Sequence, residues 1–179
     1  MLKRHYFLAV SIPDDVKERL GQFARQLEAP FKTWVYPQDY HITLAFLGSA
    51  SKEQLQQVSK NVSEIVKRHE KFSLELSNLH SFGSRILWYG VHHEERLFQL
   101  QKDVYEACKK VGFSLDERPF TPHITLARKW MGESSIENDL FREKIRETIR
   151  FAVTEVVLYE THLDKLPKYK PLIRFSLSD

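Results

Sequence analysis

One tetrapeptide occurs twice in this chain. His41-Ile42-Thr43-Leu44 returns as His123-Ile124-Thr125-Leu126, an offset of 82 positions, and Phe31 and Phe113 obey the same offset. The chain holds 8 histidines. With threonine at roughly one residue in 25, two or more of them would be followed by threonine two positions on in about 4% of such compositions. The matched isoleucine and leucine lower that further. An internal duplication is the simplest account, and it limits the fold to two similar units.

The segments around the two copies support that reading. His5–Ile12, His41–Leu47, Phe72–Leu76, Arg85–Val91, His123–Ala127, Phe151–Tyr159 and Ile173–Leu177 are apolar runs or alternate with period two, as strands do. Between them, Val16, Leu20, Phe23 and Leu27 step with helical period, as do Leu55, Val58, Val62 and Ile65. Leu97, Leu100, Val104, Cys108 and Val111 form a third stripe, stopped by Gly112. Phe141, Ile145 and Ile149 form a weaker fourth, for which Ser135 is a start signal. Ser51 with Gln54 fits a capping box. Each half reads strand, helix, short strand, strand, helix, strand. The expected fold is α+β: a bilobal duplicated unit of two antiparallel sheets lining a central groove. Helices cover the outer faces, and the lobes are related by a pseudo-twofold axis. Repeat one spans about 4–78 and repeat two about 84–177. No Gly/Pro/Ser-rich linker separates them, so residues 1–179 read as a single bilobal domain.

Composition excludes several classes. At 42% hydrophobic and 28% charged residues, disorder, collagen and coiled coil are poor fits. The net charge of +3 permits an anionic substrate, and no run of five like charges marks a nucleic-acid tail. A single cysteine, Cys108, excludes an internal disulfide and sits on a helical apolar stripe, so it reads as core. The apolar stretch Tyr6–Ile12 is too short to span a membrane, and Pro13-Asp14-Asp15 follows it without a cleavage pattern. The expectation is a cytoplasmic protein with no membrane association, and a monomer.

Strand geometry gives the duplicated motif a chemical meaning. Residues i and i+2 project from one strand face, so His41 and Thr43 point one way while Ile42 and Leu44 enter the core. A pseudo-twofold sets two imidazoles and two hydroxyls across one groove. Histidine titrates near pH 6.5, so one neutral ring can take a proton while a protonated one gives it. Threonine hydroxyls can donate to a central anion. Base, acid and oxyanion donors in one cleft suit attack on a phosphodiester without a metal. An isolated His-x-Thr is more often a half-buried histidine with a local hydrogen bond; the duplication is what lifts this pair above that reading.

These residues resemble the 2H phosphoesterase superfamily, and within it the RNA 2′,3′-cyclic phosphodiesterases, first described as 2′-5′ RNA ligases. The resemblance covers nearly the whole chain. Arg4-His5-Tyr6-Phe7 resembles the family's opening strand with one extra residue. His41 to Gly48 fits its first motif, and Arg118-Pro119-Phe120-Thr121-Pro122-His123-Ile124-Thr125-Leu126-Ala127-Arg128 its second. The resemblance implies an enzyme of RNA processing, a hydrolase that opens a 2′,3′-cyclic phosphate at RNA 3′ ends or on cyclic nucleotides and leaves a 2′-phosphate. It implies no cofactor and no metal. By position, His41 and His123 become the catalytic acid/base pair, with His123 favoured as base. Thr43, Thr125 and Arg128 become phosphate-binding residues, and Phe46 a base-stacking candidate.

Phe46 and Arg128 raise a geometric difficulty. Each lies five residues after its histidine, which in a regular strand is the opposite face. A bulge before them, or an early strand end, is required if they are to reach the groove. If both strands bulge, a stacking platform and a cation face each other at symmetric positions, making the site lopsided. The alternatives for these two are core packing and a solvated strand-end arginine. The late segments Leu158-Tyr159-Glu160-Thr161 and Leu166-Pro167-Lys168-Tyr169 depart from the family's usual serine and glycine, which leaves contacts from there open. Trp34, Tyr36, Trp88 and Trp130 can stack on bases or pack internally. His92 and His93 face opposite ways and do not form a metal pair. Two further functions remain open: a phosphoesterase for 2′-5′ oligonucleotides or ADP-ribose cyclic phosphate, and a non-catalytic RNA-end binder.

Overall fold

A computed structural model describes residues 4–179. In chain order they form β1 (Tyr6–Ser11), α1 (Asp14–Gln26), β2 (Phe31–Trp34), a 3₁₀ turn (Pro37–Asp39), β3 (His41–Gly48), α2 (Lys52–Val66), β4 (Phe72–Phe82), β5 (Ile86–Val91), α3 (Glu95–Lys109), β6 (His123–Trp130), α4 (Ile136–Leu140), β7 (Arg150–Val153), β8 (Glu155–Thr161) and β9 (Tyr169–Ser176). The fold is α+β with two antiparallel sheets. One has the order β3-β1-β8-β9, the other β2-β6-β5-β4-β7.

β1 and β5 are central strands, which explains their unbroken apolar runs: both faces are covered. One apolar cluster joins the inner faces of both sheets to the helices, with Leu8, Leu20, Val58, Leu97 and Leu126 all buried. The Ser51–Gln54 capping box forms as its sequence predicts, each residue's side chain accepting the other's backbone N–H at 3.1 and 3.0 Å. Gly21 on α1 matters for the site. A Cβ there would lie 2.9 Å from Pro37 Cγ, so only glycine lets α1 seat the 3₁₀ turn that leads into His41.

Four differences from the sequence reading have physical causes. First, the run Phe151–Tyr159 is two strands broken at Thr154, and they join different sheets: β7 pairs with β4, β8 with β1. Second, each half sends strands into both sheets. β2 and β4 of the first half sit beside β6 and β5, and β8 and β9 of the second extend the sheet of β1. The two halves are therefore interlaced, each contributing to both sheets. Third, the fourth helix is the short Ile136–Leu140 piece, N-capped by Ser135. The stripe Phe141, Ile145, Ile149 follows it as non-helical chain laid over the sheet, where the Ile145 N–H donates to the Tyr89 hydroxyl. Fourth, the second half has no counterpart of β2. Phe113 is buried as its offset from Phe31 implies, but Asp116 and Arg118 close a local turn instead of a ladder.

Opposite the helical layer, the first sheet carries a second, small cluster: Phe7, Ala9, Val157 and Tyr159, with Tyr169 against it. That face holds the first duplicated motif. No helix among the described residues is long and apolar enough to cross a membrane.

Candidate active site

Cross-strand partners share a sheet face, so the register locates each motif residue. His41 pairs with Ser11, Thr43 with Ala9 and Phe46 with Phe7. His123 pairs with Gly90, Thr125 with Trp88 and Arg128 with Ile86. The register slips between Leu8 and Ala9 on one side and between Leu87 and Trp88 on the other. Leu44 and Leu126 are the extra residues: a bulge at the same position of both copies. Each bulge buries two consecutive side chains, Leu44 with Ala45 and Leu126 with Ala127, and reverses the alternation beyond it. Phe46 and Arg128 thereby return to the face of their histidines. The odd spacing in the sequence is the trace of this device. Phe46 is 52% exposed with its ring edge-on to His5, so it is not a core residue.

Both imidazoles are held alike. His41 Nδ1 donates to the Asp39 carbonyl and His123 Nδ1 to the Thr121 carbonyl, each at 2.7 Å. That fixes the neutral tautomer and leaves each Nε2 as the free acceptor. His41 Nε2 accepts from the Thr43 hydroxyl at 2.9 Å. His41 is packed by Phe7, 4.8 Å between ring centroids, and by the edge of Tyr169 at 5.1 Å. This burial, with smaller contributions from the positive charges of His123, Lys17 and Arg128, pulls its pKa down to about 4. His123 meets Phe82 edge-on at 5.1 Å and Trp88 at 5.7 Å. Burial first and Arg128 second pull its pKa below the usual value too. Arg128 thus acts on both rings, and the site as a whole favours a negative guest.

The second bank is braced by stacked rings. His80 lies on Trp88 at 4.5 Å and Phe82 at 4.8 Å. Gly90 makes the room: a Cβ there would lie 2.8 Å from Ser77 Oγ and 3.3 Å from Trp88 Cζ3. Of the four aromatics left open by the sequence, Trp88 is buried behind His123. Trp130 packs on Phe31 and donates to the Ser134 carbonyl. Trp34 and Tyr36 are each 37% exposed and line a cleft beside Arg128. Cys108 is buried in the core, and burial pushes its thiol up to about 12. His92 and His93 find separate carboxylates, Glu75 and Glu95. Among the described residues no three His, Cys, Asp or Glu side chains gather as a metal site.

One residue of the site was not legible in the sequence. Asp39 is 4% exposed, and its carboxylate is held by backbone groups. It accepts the N–H groups of Lys168 at 2.9 Å and Tyr169 at 3.2 Å, while its own carbonyl holds His41. Asp39 therefore ties the start of β9, and the Tyr169 ring, to the first histidine. Thr161, on the late segment, follows Val157 and Tyr159 in alternation and shares their face, paired with Tyr169.

A search of protein-family models matches residues 12–165 to the 2′-5′ RNA ligase superfamily. The chain belongs to that superfamily. Curated relatives of this superfamily member include an RNA 2′,3′-cyclic phosphodiesterase of Geobacillus stearothermophilus, 42% identical over 99% of this chain. Another, of Bacillus subtilis, is 32% identical over 99%. The chain spans 58% of the Geobacillus protein's length and 98% of the Bacillus subtilis protein's. Among solved structures, Escherichia coli LigT complexed with 3′-AMP superposes with a TM-score of 0.86 at 26% identity, covering 99% of this chain and all of that one.

Proposed function

We infer that the chain is an RNA 2′,3′-cyclic phosphodiesterase, a hydrolase that opens the cyclic phosphate with water and releases a 2′-phosphate. The observation that carries this reading is the matched presentation of two imidazoles, each pinned through Nδ1 to a backbone carbonyl beside a bulge of the same register. The repeats, about 4–78 and 84–177, act as one bilobal domain around a pseudo-twofold groove. The names of the relatives point the same way, and the LigT structure holds a nucleotide, 3′-AMP.

In the proposed reaction one Nε2 takes a proton from water as its oxygen bonds to phosphorus. The P–O3′ bond breaks, and the other imidazole, protonated, gives its proton to the departing 3′-oxygen. Arg128 and the Thr43 and Thr125 hydroxyls hold the non-bridging oxygens as charge builds on them. The Thr43 hydroxyl, which donates to His41 in the free site, turns to the phosphate when one is bound. Phe46 offers its exposed face to the terminal base. Both rings are held below the ordinary histidine pKa, which disfavours a proton carried in advance. The anionic substrate supplies the field that lets one ring take it up.

Phosphorus NMR on a short RNA ending in a 2′,3′-cyclic phosphate tests the reading, with a chelator present. The expected product is the 2′-phosphate alone. A 3′-phosphate, or loss of all activity to the chelator, would overturn it. Valine at Thr43 or Thr125, nearly isosteric but without the donor, is expected to slow turnover about tenfold to a hundredfold. Wild-type rates in both variants would remove the threonines from the mechanism.

A further inference from the structure

Next to the histidines lies a cleft of about 700 Å³. This is within the range of about 300–1,000 Å³ that small-molecule sites occupy. One wall is β2 and the 3₁₀ turn, with Trp34 and Tyr36; the other is the segment from Leu163 to Leu166, with Lys168 and Tyr169 behind it. Arg128 lines the cleft and, past the bulge, shares the sheet face of His123, so the cleft adjoins the reaction centre. The Tyr169 ring closes the boundary, 5.1 Å from His41. Leu163 and Leu166 stand 62% and 64% exposed at its mouth.

We propose that this cleft seats the nucleotide immediately 5′ to the cyclic phosphate, so that the chain is built for an RNA end and not for a cyclic mononucleotide. The inference rests on the activity proposed above. Three cations, Arg128, Lys165 and Lys168, stand with two exposed aromatic rings, the combination that holds a single strand by phosphate charge and base stacking. Of the two acidic side chains that line it, Asp39 has its carboxylate filled by backbone N–H groups, leaving Asp164 alone to oppose the cations. The covalent chemistry of the guest fits the layout. The base leaves the ribose at C1′ and the 5′ chain at C4′, on opposite sides of the cyclic phosphate. Phe46 and Arg128 occupy symmetric positions on opposite sheets, so a base on Phe46 directs the 5′ phosphodiester toward Arg128 and the cleft.

The test compares kcat/KM for a nucleoside 2′,3′-cyclic phosphate with that for di- and trinucleotides carrying the same end. Stacking of one base is worth about 1–3 kcal/mol, which is about a fivefold to 150-fold gain, read mainly in KM. The dinucleotide is expected to gain that much and the trinucleotide little more. The slope of log KM on log salt should steepen by about 0.7 for the one added phosphate. K165A/K168A and Y36A should shrink the dinucleotide advantage to about twofold while sparing the mononucleotide rate. Equal kcat/KM for mono- and dinucleotide in the wild type overturns the proposal. So does a variant that loses both substrates in step. If no substrate turns over, quenching of tryptophan fluorescence by mono- and dinucleotides ending in a 2′-phosphate decides separately. Tighter dinucleotide binding would keep the subsite and discard the hydrolase; equal binding would discard the subsite.

Discussion

Alanine at His41 or at His123 is expected to reduce turnover of a cyclic-phosphate RNA end by about 10²–10⁴-fold, the range of a lost general acid or base. The double variant should be little worse than either single one if the pair works as the proposed unit. The pH dependence gives the sharper test. The proposed reaction needs one proton shared between the two rings. In the free site His41 is drawn from 6.5 to about 4, and His123 is also drawn below 6.5. The singly protonated free enzyme is therefore populated in the acid range, and kcat/KM, which reports the free enzyme, should peak below pH 6.5. A bound phosphate stabilises imidazolium, so the kcat profile should lie at higher pH than the kcat/KM profile. Initial rates measured across both limbs check this. Coincident profiles, or a kcat/KM optimum on the alkaline side of neutrality, would show that the two imidazoles do not divide the proton between them.

The same shift links the site to stability. His41 is harder to protonate folded than unfolded, so its contribution is present above 6.5 and is lost as pH falls toward about 4.

What the sequence made legible was whatever depends on neighbours along the chain. Period-two alternation put His41 with Thr43 and His123 with Thr125, and the odd five-residue spacing to Phe46 and Arg128 required the bulges that Leu44 and Leu126 form. The Ser51 capping box is equally local. Pairing choices were not legible. The apolar pattern of β4 and β8 says that they are buried strands, not that each joins the other half's sheet. The stripe Phe141, Ile145, Ile149 has helical spacing, but its partner is the Tyr89 hydroxyl, and a bond to that group replaces a helical one. Asp39 is the clearest case. Its two acceptors are taken by Lys168 and Tyr169, about 130 positions along the chain, and nothing near Asp39 signals them.

Asp39 carries the second large effect. Alanine there removes both acceptors and leaves two backbone N–H groups at the start of β9 without partners. Unsatisfied groups of this kind cost about 1–3 kcal/mol each, so a loss of about 2–6 kcal/mol is expected, or a Tm lower by about 4–24 °C. The backbone carbonyl that holds His41 Nδ1 survives the substitution, so His41 keeps its tautomer. What it loses is the Tyr169 edge that helps to bury it. Because burial is the largest cause of its depressed pKa, a more solvated His41 should titrate closer to 6.5. The acid limb of kcat/KM should move to higher pH, by an amount that a general weakening of the fold would not produce. The Asp39→Asn variant retains one acceptor and should fall between wild type and alanine in both Tm and limb position. A lower Tm with an unmoved acid limb would make Asp39 a fastener of β9 alone; movement of both would show that the buried carboxylate sets the working pH of a ring it never touches.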